Sequence, residues 1–174
     1  MTIGPVQMLV VSFPENKFKG EILPELKRLK EHDIIRLVDL LIVMKDEEGN
    51  LAIVQESDLS QEEAMEFGAI AGALVGLGHG GEEEMEAGAV LGAQALEDGH
   101  VFDDAEVWYV ADAIPNGSTA AVALIEHRWA IPLRDKIMEA GGIPVADEWI
   151  HPQDLVAVGL KAAVEAEAEA APSA

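Results

Sequence analysis

Glycine recurs at every fourth residue through Gly68, Gly72 and Gly76, and the same spacing returns at Gly88 and Gly92. Residues four apart share one face of an α-helix, so each ladder makes a smooth strip where another backbone can approach closely. A glycine inside a helix costs about 1 kcal/mol relative to alanine, so several in register are expected only where tight packing offsets the cost. Ser60 followed by Glu63 is a capping-box start for a first helix running to about Leu77. Gly78-His79-Gly80-Gly81 breaks it, and a second helix over roughly Glu82 to Glu97 returns as the other arm of a hairpin.

Alanines cover further faces of both arms, at Ala64, Ala69, Ala71 and Ala73 and again at Ala87, Ala89 and Ala93. A helix that is apolar all round wants burial on all sides, and one small sheet covers only one. Other copies of the chain are the economical source of the rest. Gly68, Gly72, Gly76, Gly88 and Gly92 are therefore the expected interface of a homo-oligomer, with packing inside a single chain as the alternative.

Around this segment the hydrophobic pattern alternates between strand and helix. Val6 to Phe13 is a compact apolar run stopped by Pro14, which reads as a buried strand. Phe18, Ile22, Leu26 and Leu29 fall at helical spacing, with Pro24 marking a kink or a later start. Ile34 to Met44 and Leu51 to Gln55 read as a β-hairpin across Asp46-Glu47-Glu48-Gly49-Asn50. Asp103 with Glu106 caps a short helix ended by Pro115-Asn116-Gly117, a strand over Glu106–Ala111 being the alternative. Then follow a strand from Thr119 to Glu126, a helix from Trp129 to Ala140, a strand from Ile143 to Ile150 and a final helix opened by Pro152.

Strand, helix, strand thus occurs twice, and two βαβ units make a ferredoxin-like α+β sheet with helices on one face. The expected organisation is a first unit at 1–56, a glycine-rich helical insertion at 57–117, a second unit with the C-terminal helix at 118–163, and an acidic disordered tail at 164–174. Gly4-Pro5-Val6, Leu9-Val10-Val11-Ser12-Phe13, Val38-Asp39-Leu40 and the run Val110 to Ser118, with the central glycine-rich segment, resemble an uncharacterised bacterial family, a domain of unknown function. The resemblance covers most of the chain outside the tail. It implies the same two-unit fold, and it carries no activity.

Charge narrows the partners. The net charge is −22, and residues 61–174 hold four basic side chains against twenty-two acids. Such a surface repels phosphate backbones and anionic headgroups, so neither nucleic acid nor membrane is an expected partner. The longest uncharged apolar run, Phe67 to Gly78, is shorter than the roughly 20 residues a spanning helix needs. With no cysteine, disulfides and thiolate chemistry are excluded. A cytoplasmic protein is the expectation.

Candidate chemistry is sparse. If the first strand and the strand at Thr119 are parallel neighbours, Glu15-Asn16-Lys17 meets Glu126-His127-Arg128 at one end of the sheet. Lys17, Glu126, His127 and Arg128 could then bind a small anion or metabolite, as ferredoxin-like sensor domains do; a salt-bridged turn anchored by Trp129 is the plainer account. His79 beside Glu82-Glu83-Glu84, and His100 beside Asp98, Asp103 and Asp104, lack a recognised ligand spacing, so no metal site and no cofactor is expected. The glycine loop follows a helix and lacks a Lys-Ser/Thr partner, against a phosphate site, and no serine sits in a nucleophile elbow. The sequence points to a non-enzymatic, self-associating scaffold or assembly subunit. A small-ligand sensor comes second, and a peripheral membrane partner that inserts the hairpin under stress comes third.

Overall fold

The computed structural model describes residues 3–15, 18, 20–143 and 145 of the 174. It is a mixed α+β arrangement with nine elements among those residues: β1 (Val6–Phe13), α1 (Ile22–Glu31), β2 (Ile35–Lys45), β3 (Leu51–Glu56), α2 (Gln61–Gly80), α3 (Glu82–Ala95), α4 (Asp104–Ala113), β4 (Thr119–His127) and α5 (Ala130–Glu139). One compact unit ends at Lys136, and a second begins at Ile137; the strands and α1 to α4 all belong to the first. The expected strand at Ile143–Ile150 falls largely outside the described residues, and the expected final helix and acidic tail fall wholly outside them.

Local signals account for most boundaries. Pro24 sits in the first turn of α1, where a backbone N–H has no helical partner to lose, so the helix starts at Ile22 and is not kinked. Both capping boxes form: Ser60 Oγ accepts the Glu63 N–H while Glu63 reaches back to the Ser60 N–H, and Asp103 and Glu106 do the same at α4, which is a helix and not the alternative strand. At the other end of α4, Lys45 Nζ donates to the carbonyls of Ala111 and Ile114, a cation on the negative end of the helix dipole. The glycine loop breaks later than expected. Gly78 to Gly80 stay helical, and Gly81 alone, at φ 94°, makes the turn.

The sheet runs β1-β4-β2-β3 with every pair antiparallel. β1 and β2 therefore point the same way with β4 between them. The expectation of parallel first and Thr119 strands is overturned. Gly117 N–H donates to the Lys45 carbonyl and Lys45 N–H to the Ser118 carbonyl, so β4 enters at the far end of β2 and runs back against both neighbours.

β2 is apolar on both faces because both are covered. On one, Leu41, Val43 and Ala120 pack under Phe102, Val107, Ala111 and Ile114 of α4 and its leading loop, and Val38 packs with Leu59, Ala64 and Leu96 at the base of the α2–α3 hairpin. On the other, Leu37, Leu40 and Ala123 lie under Leu26 of α1. A bulge at Val38 shifts the register between Leu37 and Asp39, so Leu37 pairs with Ile125 and Asp39 with Leu124. That extra residue turns Asp39 to the α4 side.

Candidate functional site

The glycine ladders face each other within the chain. A Cβ built on Gly68 would lie 2.1 Å from the Gly92 carbonyl oxygen, one on Gly72 would lie 2.0 Å from that of Gly88, and one on Gly76 would lie 1.9 Å from that of Glu84. The reverse holds from the other arm, with Gly88 against the Gly72 oxygen at 2.2 Å and Gly92 against the Gly68 oxygen at 2.0 Å. No side chain fits between the two backbones. The five glycines expected to join copies of the chain are instead consumed in closing the hairpin, because antiparallel arms bring the two ladders into register. The close approach inferred from them is present, but inside one molecule.

What the hairpin presents outward is a different set of residues. Counting at 100° per residue, Phe67, Ile70, Leu74 and Leu77 lie on the face of α2 opposite Gly68, Gly72 and Gly76. Their 3-4-3 spacing is that of a helix-pairing seam. Phe67 begins this seam against the core at the hairpin base. Further out no described residue covers it: Leu74 is 66% and Leu77 49% exposed, with Val75 at 63% on the flank. On α3, Val90 and Leu91 are also exposed. No charged residue occurs from Phe67 to Gly81. Leu74, Leu77 and the flanking Val75 together expose aliphatic surface on the order of 300 Å², the lower end of the range in which apolar patches mark interaction sites. The seam was present in the sequence as that 3-4-3 spacing, overshadowed by the more regular glycines.

The polar residues singled out beforehand do not converge. β1 and β4 are antiparallel, with Val6 opposite Glu126 and Phe13 opposite Thr119, so the Glu15 end of β1 lies at the opposite end of the sheet from Glu126-His127-Arg128. Lys17 lies outside the described residues. Glu126 is fully buried and accepts the Gly4 N–H at 2.7 Å and Arg36 Nε at 2.7 Å. Arg36 reaches on to Glu63 at 3.1 Å, which ties β4, β2 and the start of α2 together. The Ser60 N–H bond, working against burial and helped by Arg36 and Arg128, holds the Glu63 carboxyl below its usual range. Arg128 pairs with Asp33, and His127 Nε2 meets Gln7 Oε1 at 3.2 Å with its ring edge-on to Trp129. Burial pushes the His127 imidazole below its ordinary pKa. These groups form a structural network.

Neither imidazole considered for metal meets its expected carboxylates, although the His100 backbone N–H donates to Asp98 Oδ1 at 3.1 Å. His79 turns back to the Val75 carbonyl in its own helix, and His100 Nδ1 lies 3.1 Å from Asp39 Oδ1. Asp39 is the polar residue that sequence reasoning missed. Fully buried, its carboxylate accepts the N–H groups of Val101 and Phe102 at 2.7 and 2.9 Å, its own neighbour Leu40 at 3.0 Å, and the Gln55 amide at 3.3 Å. It pins the loop that leads from the hairpin into α4. A shallow polar cleft of about 540 Å³ lined by Gln55, Ser57, Gln61, Glu97 and His100 lies alongside. Among the described residues no helix is long and apolar enough to cross a membrane.

Comparison with known protein families, with curated proteins and with solved structures finds no match.

Proposed function

We propose that the protein is a non-enzymatic, self-associating assembly subunit whose contact surface is the outer seam of α2. The observation that carries this is the exposed pair Leu74 and Leu77, continuing the line of half-buried Ile70, on a helix that has already used its opposite face to bind α3. Charge favours another copy of the chain as the partner. With a net charge of −22, like-charged copies repel almost everywhere, and the uncharged stretch from Phe67 to Gly81 is where they meet without opposing carboxylates. The split βαβ arrangement of β1, α1 and β2, with β4 between, supports a ferredoxin-like architecture carrying the segment between β3 and β4 as an insertion.

Analytical ultracentrifugation over a wide concentration range tests the proposal. The wild type is expected to form species larger than one chain. Leu74→Glu with Leu77→Glu is expected to return it to a monomer with unchanged helical circular dichroism, because in the single chain both side chains lie in water. A monomeric wild type at high concentration overturns the proposal, as does undiminished assembly of the double variant.

A further inference from the structure

Among the described residues a second apolar surface lies open on the opposite face of the sheet. A groove of about 710 Å³ runs beside α1, floored by Leu9, Leu40, Ile42 and Ala123 and walled by Leu23 and Leu26. Its rim carries Glu15, Glu21 and Glu56. The groove follows from the width of the sheet. Four strands about 4.8 Å apart make a surface of roughly 19 Å, whereas a helix with its side chains is about 10–12 Å across. α1 is narrower than the sheet, so part of that apolar surface is left uncovered beside it.

We infer, building on the association proposed above, that this groove is the receptor for the α2 seam of a second copy, so that the contact joins two different surfaces. Ile70, Leu74 and Leu77 stand at i, i+4 and i+7, the anchor spacing with which a helix lies in an apolar groove. Seam against seam leaves the groove open, and groove against groove sets concave surfaces together with three carboxylates on each side. Seam into groove covers both apolar surfaces at once. Charge agrees with this orientation: Glu82, Glu83, Glu84 and Glu86 belong to α3, on the far side of α2 from the seam, and face away from the acidic rim. A contact between unlike surfaces does not close on two copies; it propagates into a ring or an open chain.

The test uses two variants of the full chain. The first, Leu74→Glu with Leu77→Glu, keeps the groove, and the second, Leu9→Glu with Leu23→Glu, keeps the seam. Each alone is expected to be monomeric by sedimentation velocity, and an equimolar mixture is expected to give a species of two chains and no larger. Because the chain has no cysteine, Leu77→Cys and Leu23→Cys placed in separate chains provide a second readout. Oxidation is expected to cross-link unlike chains in preference to like ones. A groove variant that assembles as the wild type does, or Leu77→Cys chains that cross-link among themselves, shows symmetric pairing; that overturns this inference and leaves self-association standing. A groove variant that loses thermal stability at unchanged size shows the groove filled from within its own chain, and this also overturns it. A wild type that never exceeds one chain ends both proposals.

Discussion

The sheet and the glycine hairpin are held together by opposite means. In the sheet, Leu37, Leu41 and Val43 are fully buried by side chains that interlock from above and below. In the hairpin, Gly68, Gly72 and Gly76 lie directly on the backbone of the facing arm. A core built from side chains can absorb a changed methyl group by shifting rotamers; two backbones in contact have nothing to shift. The hairpin is thus rigid where it is bare. Its bulky residues, freed from holding it together, are left on the outside. That division of labour is what makes the outer seam of α2 available to another molecule.

The largest test of this contrast is at the centre of the ladder. Gly72→Leu is expected to cost more than about 4 kcal/mol, and Gly72→Ala about 3 kcal/mol, since the smallest added side chain already collides with the Gly88 carbonyl. Denaturant midpoints and helical circular dichroism read both. A neutral Gly72→Ala would mean that the arms do not meet glycine on glycine.

Next comes the one fully buried carboxylate that fastens the hairpin's exit to the sheet. Asp39→Ala removes the acceptor for two loop N–H groups, the Gln55 amide and His100. Stranding buried donors costs about 1–3 kcal/mol each where water cannot replace the lost partner, and a loss of about 3 kcal/mol is expected in urea unfolding. Hydrogen exchange should quicken at Val101 and Phe102 first. If those amides stay protected in the variant, the loop is held by something other than Asp39.

A smaller effect in the sheet is read by pH. Burial lowers the His127 pKa in the folded sheet, while the unfolded chain keeps the ordinary value of 6.5. As pH falls below that value the unfolded state takes up the proton first, so stability declines on the acid side and is fully present above it. Melting temperature is expected to fall as pH drops from 7 towards 5, and His127→Asn is expected to flatten that part of the curve.

Much of this was legible in the sequence, and the failures have physical causes. Apolar runs and the capping pairs Ser60–Glu63 and Asp103–Glu106 place the elements to within about four residues, because those signals act locally. The direction of β4 was not legible. It depends on where the long segment between β3 and β4 delivers the strand, which no residue in Thr119–His127 encodes. The bulge at Val38 was equally hidden: it turns Asp39 to the other face, and its backbone is satisfied from Ser57 and Asp58 far along the chain. The glycine ladders announced close approach without saying to what, since facing arm and facing copy demand the same spacing. The seam at Ile70, Leu74 and Leu77 could have been counted from the sequence, but only the finding that the glycine face is occupied gives it meaning.

The finest test lies two residues beyond the ladder. Gly78 is still helical, yet a Cβ built there meets nothing within 4 Å, in contrast to 1.9 Å at Gly76. It bears the entropic cost of a helical glycine without the close contact that offsets it elsewhere. Gly78→Ala is therefore expected to stabilise the protein by about 0.5–1 kcal/mol, the helix-propensity difference, while Gly76→Ala destabilises it. Paired melting curves of these neighbours measure how abruptly backbone contact ends along α2. Should Gly78→Ala prove as damaging as Gly76→Ala, the contact extends to the tip, and the tip is too tightly built to be shaped by a neighbour.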